Sequence, residues 1–433
     1  MPGRIPPPGR ARQTWKPPRF IHLQHLAPDM TTHDYDAAVI GAGPAGLTAA
    51  VVLASIGCRT SIAGPPFNPD PDRPDTRTTA LLHGSVQLLK NIGVWDLARE
   101  HTAPLEVIRI IDDTGRLFRG PEVAFDSAEI SGSPFGYNIK NTDLVAALLA
   151  RAGTLNELKF IETTEATSIV PDSDGVQVTL KEGQSFSTHL VVGADGRNSS
   201  CREAAGVKTS TWRYEQMAIA CNFKHREPHN NASNEFHRPH GPFTTVPLPG
   251  QNSSLVWVEA PDEAKRLLNL SSADIAQEIE KRLQGCLGVI SDAGPRAAFP
   301  LSGMKVDKFA ANRIALVGDA AHVIPPIGAQ GLNLGFRDAA ALAECIGTAL
   351  EAGTDPGGPD VITAYNEARR GDVASRTMAV DLLNRSLISG FLPVQVARGL
   401  GLHLLSGVGP LRRLFMREGL APQRALPKLM QAH

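Results

Sequence analysis

YDAAVIGAGPAGLTAAVVLASIGCRTSIA, residues 35–63, decides the fold. Residues 35–40 form a short apolar run that stops at Gly41. Pro44 follows where a helix can start, since proline there gives up only an amide that the first turn leaves unpaired. Leu47, Ala50, Val51 and Ala54 recur at helical spacing, Gly57 closes the helix, and residues 58–63 predict a second strand, giving a βαβ opening. In GAGPAG, Gly41 permits the tight turn, Gly43 lets a diphosphate approach the backbone, and Gly46 lets helix pack on strand. The positive helix end faces the diphosphate. Alone, the glycine pattern also fits a turn of no function; the strand and helix around it favour a dinucleotide. One part of that fingerprint is missing. The acid that grips the adenosine ribose belongs about 20 residues on, where this chain has Ala63 and Gly64. Arg77, or a backbone group between Asp70 and Arg77, could supply the contact, and an ordinary solvated arginine is the equal alternative.

At 433 residues the chain is longer than one hydrophobic core usually supports, so two or three lobes are expected. With 20% charged and 42% hydrophobic residues and a net charge of -1, it is an ordinary globular protein without the basic excess of a nucleic-acid binder. Cys58, Cys201, Cys221, Cys286 and Cys345 are odd in number, scattered and never in a CxxC pair, which argues against disulfides and a zinc site; no metal is expected. The natural compartment is a reducing cytoplasm. No run of roughly 18 apolar residues exists to span a bilayer. Residues 1–33 stand apart: proline-rich, basic and without an apolar period before about residue 30, they predict a disordered extension, with Met30 an alternative translation start and a transit peptide the rival reading.

Further along, residues 105–112 and 243–260 alternate in the manner of antiparallel strands, the latter as two strands joined through Pro249–Asn252. Residues 141–153 predict a helix and 190–196 a buried strand. Residues 313–322 predict another strand, followed by a Gly- and Pro-rich loop and a long helix through Leu332, Phe336, Ala340, Ala343, Ile346 and Leu350. From about 360 the pattern is helical to the end. The nucleotide-binding lobe is therefore discontinuous in sequence: residues 34–104, 141–206 and 301–350, with 105–140 and 207–300 as a second, substrate lobe and 351–433 a helical C-terminal region.

Two more motifs carry chemistry. GADGRNS, residues 193–199, brings Asp195 into a glycine-flanked turn near Arg197 and Arg202. GDAAHVIPPIGAQGLNLG, residues 318–335, places Asp319 at a strand's carboxyl end and closes its loop at a helix start, where amides and helix dipole favour negative charge. His322 in this motif is read as a packed or capping residue rather than a catalytic one.

These three motifs, in this order, resemble the flavoprotein aromatic hydroxylases typified by para-hydroxybenzoate hydroxylase. DTRTTALLHGSVQLLKNIGVW (75–95), VVGADGRNSSCREAAGV (191–207), RIALVGDAAHVIPPIGAQGLNLGFRDAAALAE (313–344) and GPLRRLFMREGL (409–420) are similar to the ubiquinone-biosynthesis hydroxylases. The resemblance implies an α/β fold: a Rossmann-like FAD-binding domain, an inserted antiparallel-sheet substrate domain and a helical C-terminus. It implies FAD contact by Gly41, Gly43, Gly46, Arg77, Asn141, Asp319, Gly331, Leu332 and Asn333, with Asp195 near both FAD and the nicotinamide path. It also implies NAD(P)H as a transient co-substrate, O2 as oxidant, and hydroxylation of a polyprenylated phenol through a flavin hydroperoxide in a pocket that excludes water. Such chemistry needs no triad; the flavin-loop backbone at Pro325, Gly328, Gln330 and Gly331 is the expected catalytic element. No second G-x-G-x-x-G is present, consistent with a nicotinamide that binds only in passing. A ubiquinone-biosynthesis complex is an implied partner.

Residues 382–414 alternate aliphatic side chains with Arg385, Arg398, Arg412 and Arg413 between helix breakers. They cannot span a bilayer, and lying against the inner membrane or packing on the flavin lobe explains them equally. Two other functions stay open at this stage: hydroxylation of a soluble phenol, and a flavin-binding scaffold without turnover.

Overall fold

The computed structural model describes residues 33–388 except 69, 71–73, 116–119 and 131, together with 401, 403, 407–416 and 426–432. The N-terminal extension up to residue 32 and most of 389–406 lie outside the described residues.

Strand Tyr35–Ile40 is central in a parallel sheet, between Thr60–Gly64 and Ser185–Gly193; Leu158–Glu162 and Ile314–Leu316 extend it on either side. Such strands are covered on both faces and so run apolar throughout, as Ala37, Ala38 and Val39 do. Helix Pro44–Ser55 is buried from Gly46 to Ala54 and packs against helices Asn141–Ala152 and Gln330–Glu351. The second strand starts at Thr60 rather than 58, because Gly57, at φ 86°, turns the chain so that the Cys58 amide donates back to Leu53.

The second sheet has eight strands, in the order His322–Val323, Ile290–Val306, Thr209–His225, Asn252–Glu259, Gly241–Leu248, Ala232–Arg238, Val107–Asp112 and Val123–Asp126. All its pairs are antiparallel but one, Ala232–Arg238 with Val107–Asp112. One face buries Phe223, Phe243, Leu255 and Trp257 against helices Pro261–Leu268 and Ser272–Arg282. The other face carries Ala218, Val256, Val258 and Leu301.

Three expectations shift. The segment 105–112 breaks at Glu106: Thr102–Leu105 joins a small sheet with Thr78–Leu82 and Gly136–Lys140, and only Val107–Asp112 enters the large one. Residues 313–322 are not one strand. Ile314–Leu316 ends the parallel sheet, Gly318–Ala320 is a 3-10 turn, and His322–Val323 pairs with Met304 and Lys305 of the other sheet. Strand Ile290–Val306 accordingly runs past residue 300, and the GDAAH motif is where the chain crosses between lobes. Finally, the described C-terminal end is not helical throughout. Leu426–Pro427 leads into a 3-10 turn at Lys428–Met430 that buries Met430 beside Gly84, while Asn91 Nδ2 donates to the Leu429 and Gln431 carbonyls.

Candidate flavin site

The glycine loop separates packing glycines from ligand-facing ones. A Cβ on Gly41 would lie 2.4 Å from the Ala194 carbonyl oxygen, and one on Gly46 would lie 1.9 Å from the Gly41 oxygen. Both are demanded by close approach. Gly43 differs: its φ is -74°, open to any residue, and a Cβ there meets nothing within 4 Å. Gly331, in the first turn of helix Gln330–Glu351, likewise faces open space. Glycine inside a helix costs up to about 1 kcal/mol relative to alanine. Glycine where neither strain nor crowding requires it, at two helix starts, fits a ligand that must come up against the backbone. FAD fits this cradle, since both Gly43 and Gly331 leave room for a ligand against the backbone.

The second helix start is shaped by side chains. Gly328 and Ala329 both adopt left-handed conformations, φ 65° and 54°, the latter at a residue with a Cβ. Asn333 Nδ2 donates to the Ala329 carbonyl at 2.5 Å and to the Ala80 carbonyl at 2.8 Å, while its Oδ1 accepts from the Leu82 amide and the Ser85 hydroxyl. Gln330 Nε2 donates to the Gly328 carbonyl at 3.0 Å. With both carbonyls held on one side, the following peptide N–H groups point the other way, alongside the unpaired amides of the helix's first turn. Pro325 has no N–H, and its carbonyl accepts from the Ile327 amide. It therefore shapes the loop, and the amides that follow the two held carbonyls are those of Ala329 and Gln330.

The remaining expected contacts fall into two groups. Arg77 holds Asp75 through Nε at 2.8 Å and Nη2 at 2.7 Å and lies over the Phe299 ring. Its guanidinium is held charged first by Asp75, with Asp319 contributing to the same field. Burial would raise the Asp75 carboxyl; Arg77 outweighs it and Asn141 adds a hydrogen bond, leaving the group below the usual carboxylate range. Arg77 and Asn141 thus both act on Asp75, and Asp319 acts on Arg77 through its charge. Asp319, half exposed, pairs with Arg197 Nε at 3.4 Å. Asp195 accepts from the Ser199 and Ser200 hydroxyls and the Cys201 amide, so its carboxylate organises the turn into the short helix Ser200–Ala204.

The missing ribose acid has a steric cause. A Cβ on Gly64 would lie 2.6 Å from Ala42 Cβ and 2.7 Å from its nitrogen. No side chain fits there. A cavity of about 200 Å³ opens beside it, bounded by Ala42, Pro65, Phe67, Asn68 and Phe160, and Arg77 does not line it.

His322, at 1% exposure, is a packed residue: its Nε2 lies 2.7 Å from Asp338 Oδ2, which also accepts from the Gly318 amide. Asp338 belongs to a buried charged group that the sequence reading missed. Arg369 bridges Asp338 and Asp372, and Asp372 also receives Arg337 and Arg376. Burial alone would raise Asp372, but Arg337, Arg369 and Arg376 hold it well below the carboxylate range. A signal existed, because residues 369, 372 and 376 are spaced to share one helix face beside the adjacent Arg337 and Asp338. Among the cysteines, burial pushes the Cys58 and Cys221 thiols up to about 12, so neither is a ready nucleophile. Among the described residues, no helix is long and apolar enough to cross a membrane, and no cluster of three or more His, Cys, Asp or Glu could hold a metal ion.

A parallel nucleotide lobe opening on a glycine turn, with a large antiparallel sheet beside it, is the architecture of a flavoprotein monooxygenase of the para-hydroxybenzoate hydroxylase type. Residues 34–380 match the FAD binding domain family. The chain is 36% identical to the ubiquinone hydroxylase UbiL of Rhodospirillum rubrum over 91% of each chain. It is 30% identical to the 3-demethoxyubiquinol 3-hydroxylase of Escherichia coli over 90% of this chain and all of that one. The p-nitrophenol 4-monooxygenase PnpA of Pseudomonas putida superposes with a TM-score of 0.72 over 90% of this chain and 99% of that one, at 19% identity, and so shares the fold. The chain belongs to the ubiquinone-biosynthesis hydroxylase family and is an FAD-dependent aromatic-ring monooxygenase.

Proposed function

We propose that the protein hydroxylates the ring of a polyprenylated phenol in ubiquinone biosynthesis, consuming one O2, one NAD(P)H and one proton and releasing NAD(P)+ and water. The observation that carries this reading is the full-length similarity to two relatives named for ubiquinone hydroxylation. Bound FAD supplies the route by which two electrons pass from the nicotinamide to oxygen. The chain's own part is to hold and shield. Gly43 would receive the diphosphate, with Gly41 and Gly46 packing the loop around it; Arg77, Asn141 and Asp319 would hold the ribityl region; Asp195 would order the turn facing the nicotinamide path. Gly331, Leu332 and Asn333 present the helix start that favours negative charge on the ring edge. The apolar sheet face at Ala218, Val256, Val258 and Leu301 would have to open to the substrate to give it a wall that excludes water. Peripheral contact with the inner membrane and membership of a biosynthetic complex would bring so apolar a substrate to the site.

The test is turnover with NADH or NADPH, a polyprenyl phenol and isotopically labelled dioxygen. The product should be heavier by one labelled oxygen atom. Label entering from water would refute the monooxygenase reading. Preference for short soluble phenols would replace the substrate assignment, and no phenol-stimulated nicotinamide oxidation would favour a scaffold.

A further inference from the structure

The buried charged group behind the flavin loop is connected to that loop through one side chain. Arg376, on helix Pro359–Ile388, donates from Nη1 to Gln330 Oε1 at 3.0 Å. Gln330 in turn donates to the Gly328 carbonyl, so the guanidinium stands one side chain behind the two left-handed residues that aim the loop amides. On its other side Arg376 Nε donates to Asp372 Oδ1 at 2.8 Å.

Charge within this hydrogen-bonded group does not cancel. Arg337, Arg369 and Arg376 stand against Asp338 and Asp372, three positive groups to two negative. Asp338 is already engaged by His322, the Gly318 amide and Arg369, and Asp372 is shared among all three arginines. The group as a whole therefore carries net positive charge, and Arg376 is its member that reaches the N-terminal residue of helix Gln330–Glu351. Helix starts carry positive partial charge, and a further cation placed there is unfavourable unless an anion shares the site. The side chains of Arg376 and Asp372 are 17% and 16% exposed, so solvent screens this field only in part.

The geometry points to Arg376 as a positioning residue that tunes the flavin: it fixes the loop through Gln330, and its charge favours the reduced ring, which gains negative charge at the edge facing this helix start. The inference rests on the flavin reading above. It predicts that Arg376→Gln, loaded with FAD, shifts the equilibrium toward oxidised flavin about tenfold, which for a two-electron couple is about 30 mV more negative. Arg376→Lys keeps the charge and should recover most of that shift. Gln330→Ala removes the link but not the charge, and should weaken FAD binding while moving the potential less than Arg376→Gln does. Midpoint potentials measured against a reference dye, with FAD affinities from fluorescence titration, provide the readouts. FAD bound by wild type and Arg376→Gln at the same potential would overturn this inference alone. Arg376→Lys falling to the Arg376→Gln value would overturn the charge assignment. A wild-type protein that takes up no FAD would overturn the flavin reading and this inference with it.

Discussion

Replacing Asn333 by alanine is the sharpest structural test of the loop. The side chain is 4% exposed and makes four hydrogen bonds: two donated, to Ala80 and Ala329 carbonyls, and two accepted, from the Leu82 amide and the Ser85 hydroxyl. Each is worth about 1 kcal/mol net, and unpaired buried partners cost somewhat more unless water enters. The apoprotein should lose about 2–4 kcal/mol by that count. The bond to Ala329 matters separately, because it holds a left-handed alanine that costs about 1–2 kcal/mol on its own. Without it the loop relaxes, and FAD must order it again on binding. That lost preorganisation, about 1–2 kcal/mol, should weaken FAD binding about 5- to 30-fold. Denaturant unfolding of the apoprotein and fluorescence titration with FAD measure the two effects independently. Asn333→Asp should bind FAD no better than Asn333→Ala, since its carboxylate would face two carbonyl oxygens and add negative charge at the ring edge. FAD affinity within twofold of wild type, with less than about 1 kcal/mol lost in the apoprotein, would refute this account of the loop.

Gly64→Glu restores the acid expected by the dinucleotide fingerprint, yet its Cβ would press on Ala42 at 2.6 Å; FAD titration should show weaker binding, and tighter binding would mean that the glycine loop yields. The Asp372 carboxyl lies below its ordinary value of 3.8 in the folded protein, so the stability it contributes is fully present above that value and is lost as pH falls below it. Asp372→Asn should therefore melt lower than wild type at pH 7, leaving three arginines without their shared partner, and the gap should narrow below about pH 4. A gap unchanged between pH 7 and pH 3 would show that the ion pairs contribute nothing to it.

What was legible in the sequence was whatever a local pattern encodes. Residues 35–63 announced their strand, turn and helix because a buried parallel strand and the helix behind it are uniformly apolar, with glycines at fixed offsets. The break at Glu106 was not legible: Thr102–Leu105 and Val107–Asp112 share one alternating pattern, and only their partners, Gly136–Lys140 and Ala232–Arg238, separate them. Residues 313–322 misled for a related reason, since apolar residues on both sides of Gly318–Ala320 read as one strand although they serve two sheets. The candidate site divides along the same line. Gly41, Gly43, Gly46, Gly331 and Asn333 lie in contiguous motifs, whereas the partners that give them force come from far away in the chain. Ala194 crowds Gly41, Ala80 and Ser85 fix Asn333, and Arg376 reaches Gln330 across 46 positions. A motif names the groups that meet a ligand. The residues that hold those groups in a strained, ligand-ready geometry are recruited by tertiary packing, so Arg337 and Asp338 could be read as plain helix residues until helix Pro359–Ile388 is laid beside them.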